Sequence, residues 1–269
     1  MRRSFIPGRL EDGWGRLPQS GYYLQWREAK PSILLSWARP DMSNTRVTLL
    51  DTAPIPNGGG ELGLYRHGED FVIKVVGGQD LMSTRTHGSA DALAEIACTE
   101  ISGRERPRVL IGGLGMGFTL ASALRHLEYD AEVVVAELVP GVVEWNRGPL
   151  GEHAGNPLLD ERVTVQEVDV SLLLRAGGPS FDAILLDVDN GPEGLMQRSN
   201  DWLYSKSGLN VSYRALRPKG VLALWSAGPD RAFTKRLVKA GFEVDEVPVR
   251  AHRGKGARHL IWVARKPGR

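Results

Sequence analysis

The chain has 269 residues, of which 42% are apolar, so it is long enough to bury a full hydrophobic core. Its 34 Lys and Arg residues against 32 Asp and Glu leave a formal net charge of +2, which argues against a dedicated nucleic-acid-binding protein. No apolar run in the sequence reaches the roughly 18 residues that a membrane-spanning helix needs. We therefore expect a folded, globular protein that is not integral to a membrane.

The single cysteine, Cys98, lies at helical spacing from Leu93, Ile96 and Ile101. One cysteine cannot form an intramolecular disulfide, and a cysteine at this spacing is expected to be a small buried hydrophobe rather than a nucleophile. The opening Arg2-Arg3 pair is followed by Gly, Pro and charged residues instead of the apolar stretch of an export signal. These features predict a cytoplasmic protein.

The first 41 residues differ in composition from the rest of the chain. Their apolar residues follow neither a strand nor a helix period, although they include Trp14, Trp26 and Trp37. A second methionine, Met42, opens the more regular sequence. We predict that residues 1–41 are an irregular extension or precede the native start, that 42–86 form a small N-terminal β unit, and that 87–269 form a nucleotide-binding catalytic domain.

The small unit is predicted from three short β-like runs after the Pro- and Gly-rich segment 54–60. Gly-containing turns separate the runs, which favours an antiparallel meander. Ser89 is the predicted N-cap of a helix that continues to Ile101, because Ser caps helix N-termini well and Gly103 follows the helix. The three predicted strands are residues 62–66, 71–76 and 79–82.

From residue 108 onward, short apolar runs alternate with segments long enough for a crossover helix, which predicts a doubly wound, mostly parallel sheet. The last two runs flank a basic, Gly-containing loop and predict a terminal antiparallel hairpin. The fold class is therefore α/β, with a seven-stranded Rossmann-like sheet of class I methyltransferase type whose last strand is antiparallel. The predicted strands are residues 108–111, 131–136, 162–165, 181–186, 221–225, 243–249 and 259–264.

A glycine loop follows the first of these strands. Gly113, Gly115 and Gly117 stand between that strand and a predicted helix over 118–127. Glycines at such a turn allow the backbone to approach a nucleotide closely. The dinucleotide pattern requires a further glycine where this chain has Phe118, so NAD is disfavoured.

Acidic residues end the next two strands. Glu137 ends the second, where an acidic side chain accepts hydrogen bonds from both hydroxyls of a ribose. Asp169, followed by Val170, ends the third, where it is placed to accept a hydrogen bond from an adenine amino group. Because ligands of open α/β sheets lie beyond the carboxyl ends of the strands, these residues are expected to converge on one nucleoside site.

The fourth strand runs directly into Asp187 and Asp189. Both carboxylates point to one side if the strand persists, and the apolar run before them is expected to raise at least one pKa. We predict that they are catalytic: a base, or a clamp for a cationic substrate, beside the cofactor. The alternative is a turn cap built from Asp and Asn.

From residue 61 to the last strand, the chain resembles the spermidine synthase family of polyamine aminopropyltransferases and their methyltransferase-fold relatives. The resemblance rests on the glycine loop with the strand before it, and on the segment Ala-Glu-Leu-Val-Pro-Gly-Val-Val-Glu that contains Glu137. It continues in four further segments, residues 160–165, 181–187, 203–205 and 216–220.

The resemblance implies that Glu137 binds the ribose, that Asp169 binds adenine, and that Asp187 holds or activates an attacking amine. It also implies S-adenosylmethionine or its decarboxylated form as donor, with S-adenosylhomocysteine or methylthioadenosine as product and with no metal. Two positions depart from the family. Met116 stands where the family's glycine loop has an aspartate, and the family's Tyr-His-Glu segment is not recognisable in residues 83–89, which include His87.

The sequence leaves three functions open. The first is aminopropyl transfer to an amine-bearing small molecule, as in polyamine biosynthesis, and the second is methyl transfer to a small molecule. A neutral Met116 is expected to tolerate the carboxylate of S-adenosylmethionine, which the family's aspartate would repel. The third is a catalytically silent nucleotide-binding protein. A nucleic-acid partner is disfavoured, and the oligomeric state stays open, with a homodimer as one option.

Overall fold

The computed structural model describes residues 47–188, 201–252 and 255–268. The predicted extension over residues 1–41 and the candidate Asp189 lie outside them. The described part contains a four-stranded and a seven-stranded sheet with α-helices around the larger one. Its elements are β1 Val47–Pro54, β2 Glu61–His67, β3 Asp70–Val75, β4 Asp80–Ser83, α1 Gly88–Glu100, β5 Arg108–Gly112, α2 Phe118–His126, β6 Glu132–Ala136, α3 Pro140–Arg147, β7 Val163–Gln166, α4 Val170–Arg175, β8 Phe181–Leu186, α5 Asp201–Tyr204, α6 Lys206–Ala215, β9 Leu216–Ser226, α7 Arg231–Lys239, β10 Glu243–His252 and β11 Lys255–Arg265.

The small sheet is an antiparallel meander in the order β1-β2-β3-β4. Three of its strands match the predicted runs, and the sequence analysis missed β1. Most residues of β1 are exposed, including Val47 and Leu49, so the strand lacks the buried and exposed alternation by which a strand is recognised. Pro54 ends β1, as expected of a residue that cannot donate to a sheet.

The large sheet has the order β10-β11-β9-β8-β5-β6-β7. Five strands, β5 to β9, are mutually parallel, and β11 runs antiparallel to its neighbours β9 and β10. This arrangement confirms the predicted fold class, with the last strand reversed. The central strand β8 is buried along its whole length, as its continuous apolar run indicates.

The core lies on both faces of the large sheet. On one face, the small sheet shares a hydrophobic cluster with α1, α2 and α3, and this cluster contains Ile73, Leu93 and Ile111. Cys98 belongs to the same cluster at 1% exposure, and burial raises the pKa of its thiol to about 12. It is therefore a buried hydrophobe rather than a nucleophile, as predicted.

Helix α1 begins earlier than predicted. Its N-cap is His87 rather than Ser89, which lies within the first turn. The backbone N–H of Asp91 donates to the carbonyl of His87, and Nδ1 of His87 lies 2.8 Å from the Asp91 carboxylate. The contact between His87 and Asp91 thus stabilises the start of the helix, in place of the expected side-chain cap by Ser89.

None of the helices in the described residues is both long and apolar enough to cross a membrane.

Candidate functional site

The glycine loop joins β5 to α2 at the carboxyl edge of the sheet. Gly113, Gly115 and Gly117 have φ angles of +88°, +53° and +79°, which lie in the left-handed region that favours glycine. A Cβ atom at Gly113 would lie 2.6 Å from the backbone oxygen of Asp187. The loop conformation and the approach of β8 therefore both require glycine here.

Asn146 holds this loop from α3, and sequence analysis did not identify it. The side chain is 2% exposed, and its Nδ2 donates to the carbonyl oxygens of Gly115, at 2.8 Å, and Val142, at 2.9 Å. Its Oδ1 lies 2.8 Å from where a Cβ of Gly117 would stand. The only signal in the sequence was a polar residue on the buried face of a helix.

Glu137 follows β6 and is 8% exposed. Its Oε2 accepts a hydrogen bond from the N–H of Leu114, at 2.8 Å, and its Oε1 accepts one from the N–H of Val139, at 2.9 Å. Burial raises the pKa of this carboxyl, and the hydrogen bonds from backbone N–H groups oppose the shift. The side chain thus ties the glycine loop to the end of β6 and also faces the cavity described below.

Asp169 caps the short helix α4 and faces the same cavity. Its Oδ1 accepts a hydrogen bond from the N–H of Ser171 at 2.8 Å. This bond fixes the Asp169 side chain at the end of the connection between β7 and α4. Val170, the first residue of α4, is 6% exposed and packs beneath the glycine loop, where its side chain would meet a Cβ at Gly112. Strand β7 ends at Gln166, so Asp169 lies three residues past the strand instead of ending it, and both residues line the cavity.

Asp187 follows β8 directly. Its Oδ2 accepts a hydrogen bond of 2.6 Å from the hydroxyl of Thr119, a buried residue near the start of α2. Burial raises the pKa of the Asp187 carboxyl, and the bond from Thr119 lowers it by less. Thr119 is a second residue that the sequence analysis missed, because hydroxyl groups near a helix start are common.

One cavity of about 140 Å³ at the carboxyl edge of the sheet is lined by Glu137, Asp169, Val170 and Asp187, but not by Asn146 or Thr119. Its lining includes Gly113 and Gly115, and apolar residues of the small sheet and of the connection between β1 and β2 cover it. The charged lining residues among the described ones are all acidic: Glu137, Asp169 and Asp187. Gly117 lies outside the lining. The apolar cover consists of Ile55, Leu62, Ile73, Leu81 and Met82.

Met116 and His87 take no part in this lining. Met116 is 5% exposed and belongs to the core cluster that contains Leu114 and Leu120. The loop turns this side chain into the core, so Met116 does not line the cavity, and the expectation that it tolerates a donor carboxylate stays a prediction. His87 stacks on Phe118 with ring centroids 4.7 Å apart and pairs with Asp91, which is a structural role at the start of α1.

A larger groove of about 1030 Å³ is lined by residues of β6, β7 and α4. Its lining includes Arg108 and Phe181, the first residues of β5 and β8, and the exposed Tyr129. It is open to solvent and contains no residue of the glycine loop. The smaller cavity is the better candidate, because ligands of open α/β sheets bind beyond the carboxyl ends of the strands.

No family model and no curated protein matches the chain. Solved structures do match it. A spermidine synthase in complex with the transition-state analogue AdoDATO is similar with a TM-score of 0.64 and 16% identity, over 82% of this chain and 73% of the other. The spermidine synthase from Thermotoga maritima gives a TM-score of 0.62 and 17% identity, over 78% of this chain and 70% of the other.

TrmN from Thermus thermophilus is similar with a TM-score of 0.50 and 22% identity, over 69% of this chain and 49% of the other. At identities this low the likeness concerns the fold. Together with the strand order, it shows that this chain has the fold of the spermidine synthases on a sheet of class I methyltransferase type.

Proposed function

We propose that the chain is a transferase that binds an adenosine sulfonium donor and moves an aminopropyl group from it to an amine-bearing small molecule. One observation carries this proposal. The glycine loop and three carboxyl side chains, Glu137, Asp169 and Asp187, line a single cavity that has no basic side chain among its described lining residues.

The residues fit an adenosine group. Gly113 and Gly115 both line the cavity, so the turn presents backbone and no side chains of its own to a nucleoside there. Glu137 would hold the ribose hydroxyls, Asp169 the adenine amino group, and Val170 the face of the base. These roles are supported by the positions of the residues at three neighbouring strand ends.

The charge of the cavity favours the decarboxylated donor. Decarboxylated S-adenosylmethionine has a sulfonium and an ammonium, whereas S-adenosylmethionine has a carboxylate as well. An acidic lining attracts the first more strongly, because opposite charges attract each other more strongly at partly buried sites than in bulk water. The carboxylate of S-adenosylmethionine finds no cationic partner among the described lining residues.

Asp187 is suited to hold and deprotonate the acceptor amine. The bound donor supplies an electrophilic carbon next to its sulfonium. A protonated amine has no free lone pair, so the site must take a proton from nitrogen as well as align it. Burial raises the pKa of Asp187, which makes its carboxylate a better proton acceptor, and Thr119 fixes its orientation.

The donor is tested by calorimetry with methylthioadenosine, S-adenosylhomocysteine, S-adenosylmethionine and its decarboxylated form. We expect methylthioadenosine and the decarboxylated donor to bind. Glu137→Gln should weaken both by about tenfold or more, since a hydrogen bond to a charged group contributes about 1.5–3 kcal/mol. Glu132→Gln, at the exposed opposite end of β6, is the matched control and should leave binding unchanged.

Methyl transfer is the second candidate, since the same fold and the same nucleoside contacts serve S-adenosylmethionine. Incubation of the protein with both donors and a panel of amines, followed by mass spectrometry, separates the two by the mass added to the acceptor. Tighter binding of S-adenosylmethionine with methylated product would replace the first proposal by the second. Nucleoside binding with no product from any amine, amino acid or alcohol would favour the silent nucleotide-binding protein.

A further inference from the structure

Glu137, Asp169 and Asp187 form a row of side chains at the carboxyl edge of the large sheet, and this row continues past Asp187. Trp225 is the next-to-last residue of β9, and His259 lies near the start of β11. Neither lines the nucleoside cavity, and the function proposed above does not use them. Both are half-buried, so part of each ring is accessible to a ligand.

The strand register places Asp187 beside Trp225. Leu186 pairs with Leu224 in the parallel ladder of β8 and β9, so Asp187 and Trp225 are the next positions on neighbouring strands. Paired residues of neighbouring strands point to the same face, and the strands lie about 4.8 Å apart. Asp187 accepts a hydrogen bond from Thr119 of α2, and Trp225 packs against the core cluster that contains α1, α2 and α3. Asp187 and Trp225 therefore lie on the face of the large sheet that these helices cover.

His259 extends the row by one strand. Trp225 pairs with Ile261 in the antiparallel ladder of β9 and β11. His259 precedes Ile261 by two residues, so its side chain lies on the same face of the sheet. The ring centroids of Trp225 and His259 are 4.8 Å apart, with a tilt of 40° between the planes. Burial lowers the pKa of His259, which keeps its imidazole neutral near pH 7. The row is therefore one carboxylate followed by two uncharged aromatic rings.

The chemical character of this row differs from that of a site that binds a polyamine. A long polycation requires negative charge along its length, whereas beyond Asp187 the described residues of this row are aromatic and the cover of the cavity is apolar. An indole face attracts a cation and also packs against apolar groups. One carboxylate next to an aromatic surface matches an ammonium group attached to an apolar body.

We propose that Asp187, Trp225 and His259 form the acceptor subsite and that it takes a monoamine whose amino group is joined to an apolar or aromatic group. This assignment rests on the function proposed above, because it names the acceptor of that same reaction. Asp187 binds the nitrogen, and the Trp225 and His259 rings bind the apolar body.

Binding of phenethylamine by calorimetry tests the subsite, with putrescine and spermidine as comparisons. The protein is used alone and as its complex with methylthioadenosine. Phenethylamine should bind the complex more tightly than either polyamine. Trp225→Ala should weaken phenethylamine binding about tenfold, as expected for loss of an aromatic contact and of buried apolar area, and Trp225→Phe should recover most of it.

Two controls separate this proposal from the general function. Trp202→Ala removes a half-buried tryptophan of α5, whose ring contacts Arg175, and should leave phenethylamine binding unchanged. Methylthioadenosine binding should be the same in wild type and in Trp225→Ala. Tighter binding of putrescine or spermidine, or equal losses in Trp225→Ala and Trp202→Ala, would overturn the subsite while nucleoside binding stands. Absence of nucleoside binding would instead overturn the proposed function.

Discussion

Asp187 is a residue at which the requirements of function and of stability conflict. Its side chain is half-buried, and partial removal from water raises the pKa of its carboxyl above the value in an unfolded chain. At pH values between the unfolded and the folded pKa, the folded state therefore holds a proton that the unfolded state has already released. Stability is lost as pH rises from the unfolded pKa through the folded pKa, and the loss is complete above both.

Asp187→Asn should therefore raise the melting temperature at pH 8 and raise it less as the pH falls towards 4. The amide keeps an acceptor for the Thr119 hydroxyl but has no charge to desolvate. Each 1 kcal/mol gained corresponds to a shift of about 2–4 °C for a domain of this size. Thermal melts between pH 4 and 8 measure the difference, and a gain that does not depend on pH would contradict this account. Turnover with an amine should fall.

Asn146 is predicted to act by positioning the glycine loop. Asn146→Ala removes the bond to the Gly115 carbonyl and takes this partner away from a part-buried oxygen, which should cost about 1 kcal/mol or more. The loss should appear both as a lower melting temperature and as weaker binding of methylthioadenosine. Ser212→Ala, a buried side chain bonded within α6, is the control that should lower stability only. Normal nucleoside affinity in Asn146→Ala would show that the loop holds its conformation without it.

At the scale of elements, the connection between β5 and α2 can be tested with a pair of glycines. Gly103, after α1, has φ +78° with nothing near its Cβ position, whereas Gly113 has φ +88° and would meet the backbone of Asp187. Both Ala variants incur the left-handed penalty of about 1–2 kcal/mol. Gly113→Ala should cost about 1–3 kcal/mol more, because a backbone must move, and should abolish nucleoside binding. Chemical denaturation of the two variants compares them, and equal losses would contradict the steric argument.

At the scale of the whole molecule, Asp182 stabilises the end of β8 opposite to Asp187. It is 2% exposed, pairs with Arg104 at 2.5 Å and Arg217 at 2.7 Å, and accepts a bond from the N–H of Arg108. These contacts tie β8 to β9 and to the turn before β5. Asp182→Ala should cost about 3 kcal/mol, as breaking a buried ion pair does. Its melting temperature should fall while methylthioadenosine affinity stays unchanged, and a large loss of affinity would contradict this division of roles.

Local chemistry made much of the fold predictable. The boundaries of β8 match the prediction, because a continuous apolar run ending in Asp187 is a local feature. Helix α2 begins at Phe118 as predicted, directly after the glycine loop. The start of α1 was misplaced because the His87–Asp91 pair, and not the expected Ser89 cap, stabilises its first turn.

The sequence by itself determined the alternation of strands and helices, the glycine turn and the acids at the strand ends, because periodicity and residue chemistry act over a few neighbouring positions. Only the tertiary structure decided which side chains share the cavity. The bonds from Asn146 to Gly115 and from Thr119 to Asp187 join residues 31 and 68 positions apart. Met116 turned into the core for the same reason: its burial depends on packing between elements that are distant along the chain.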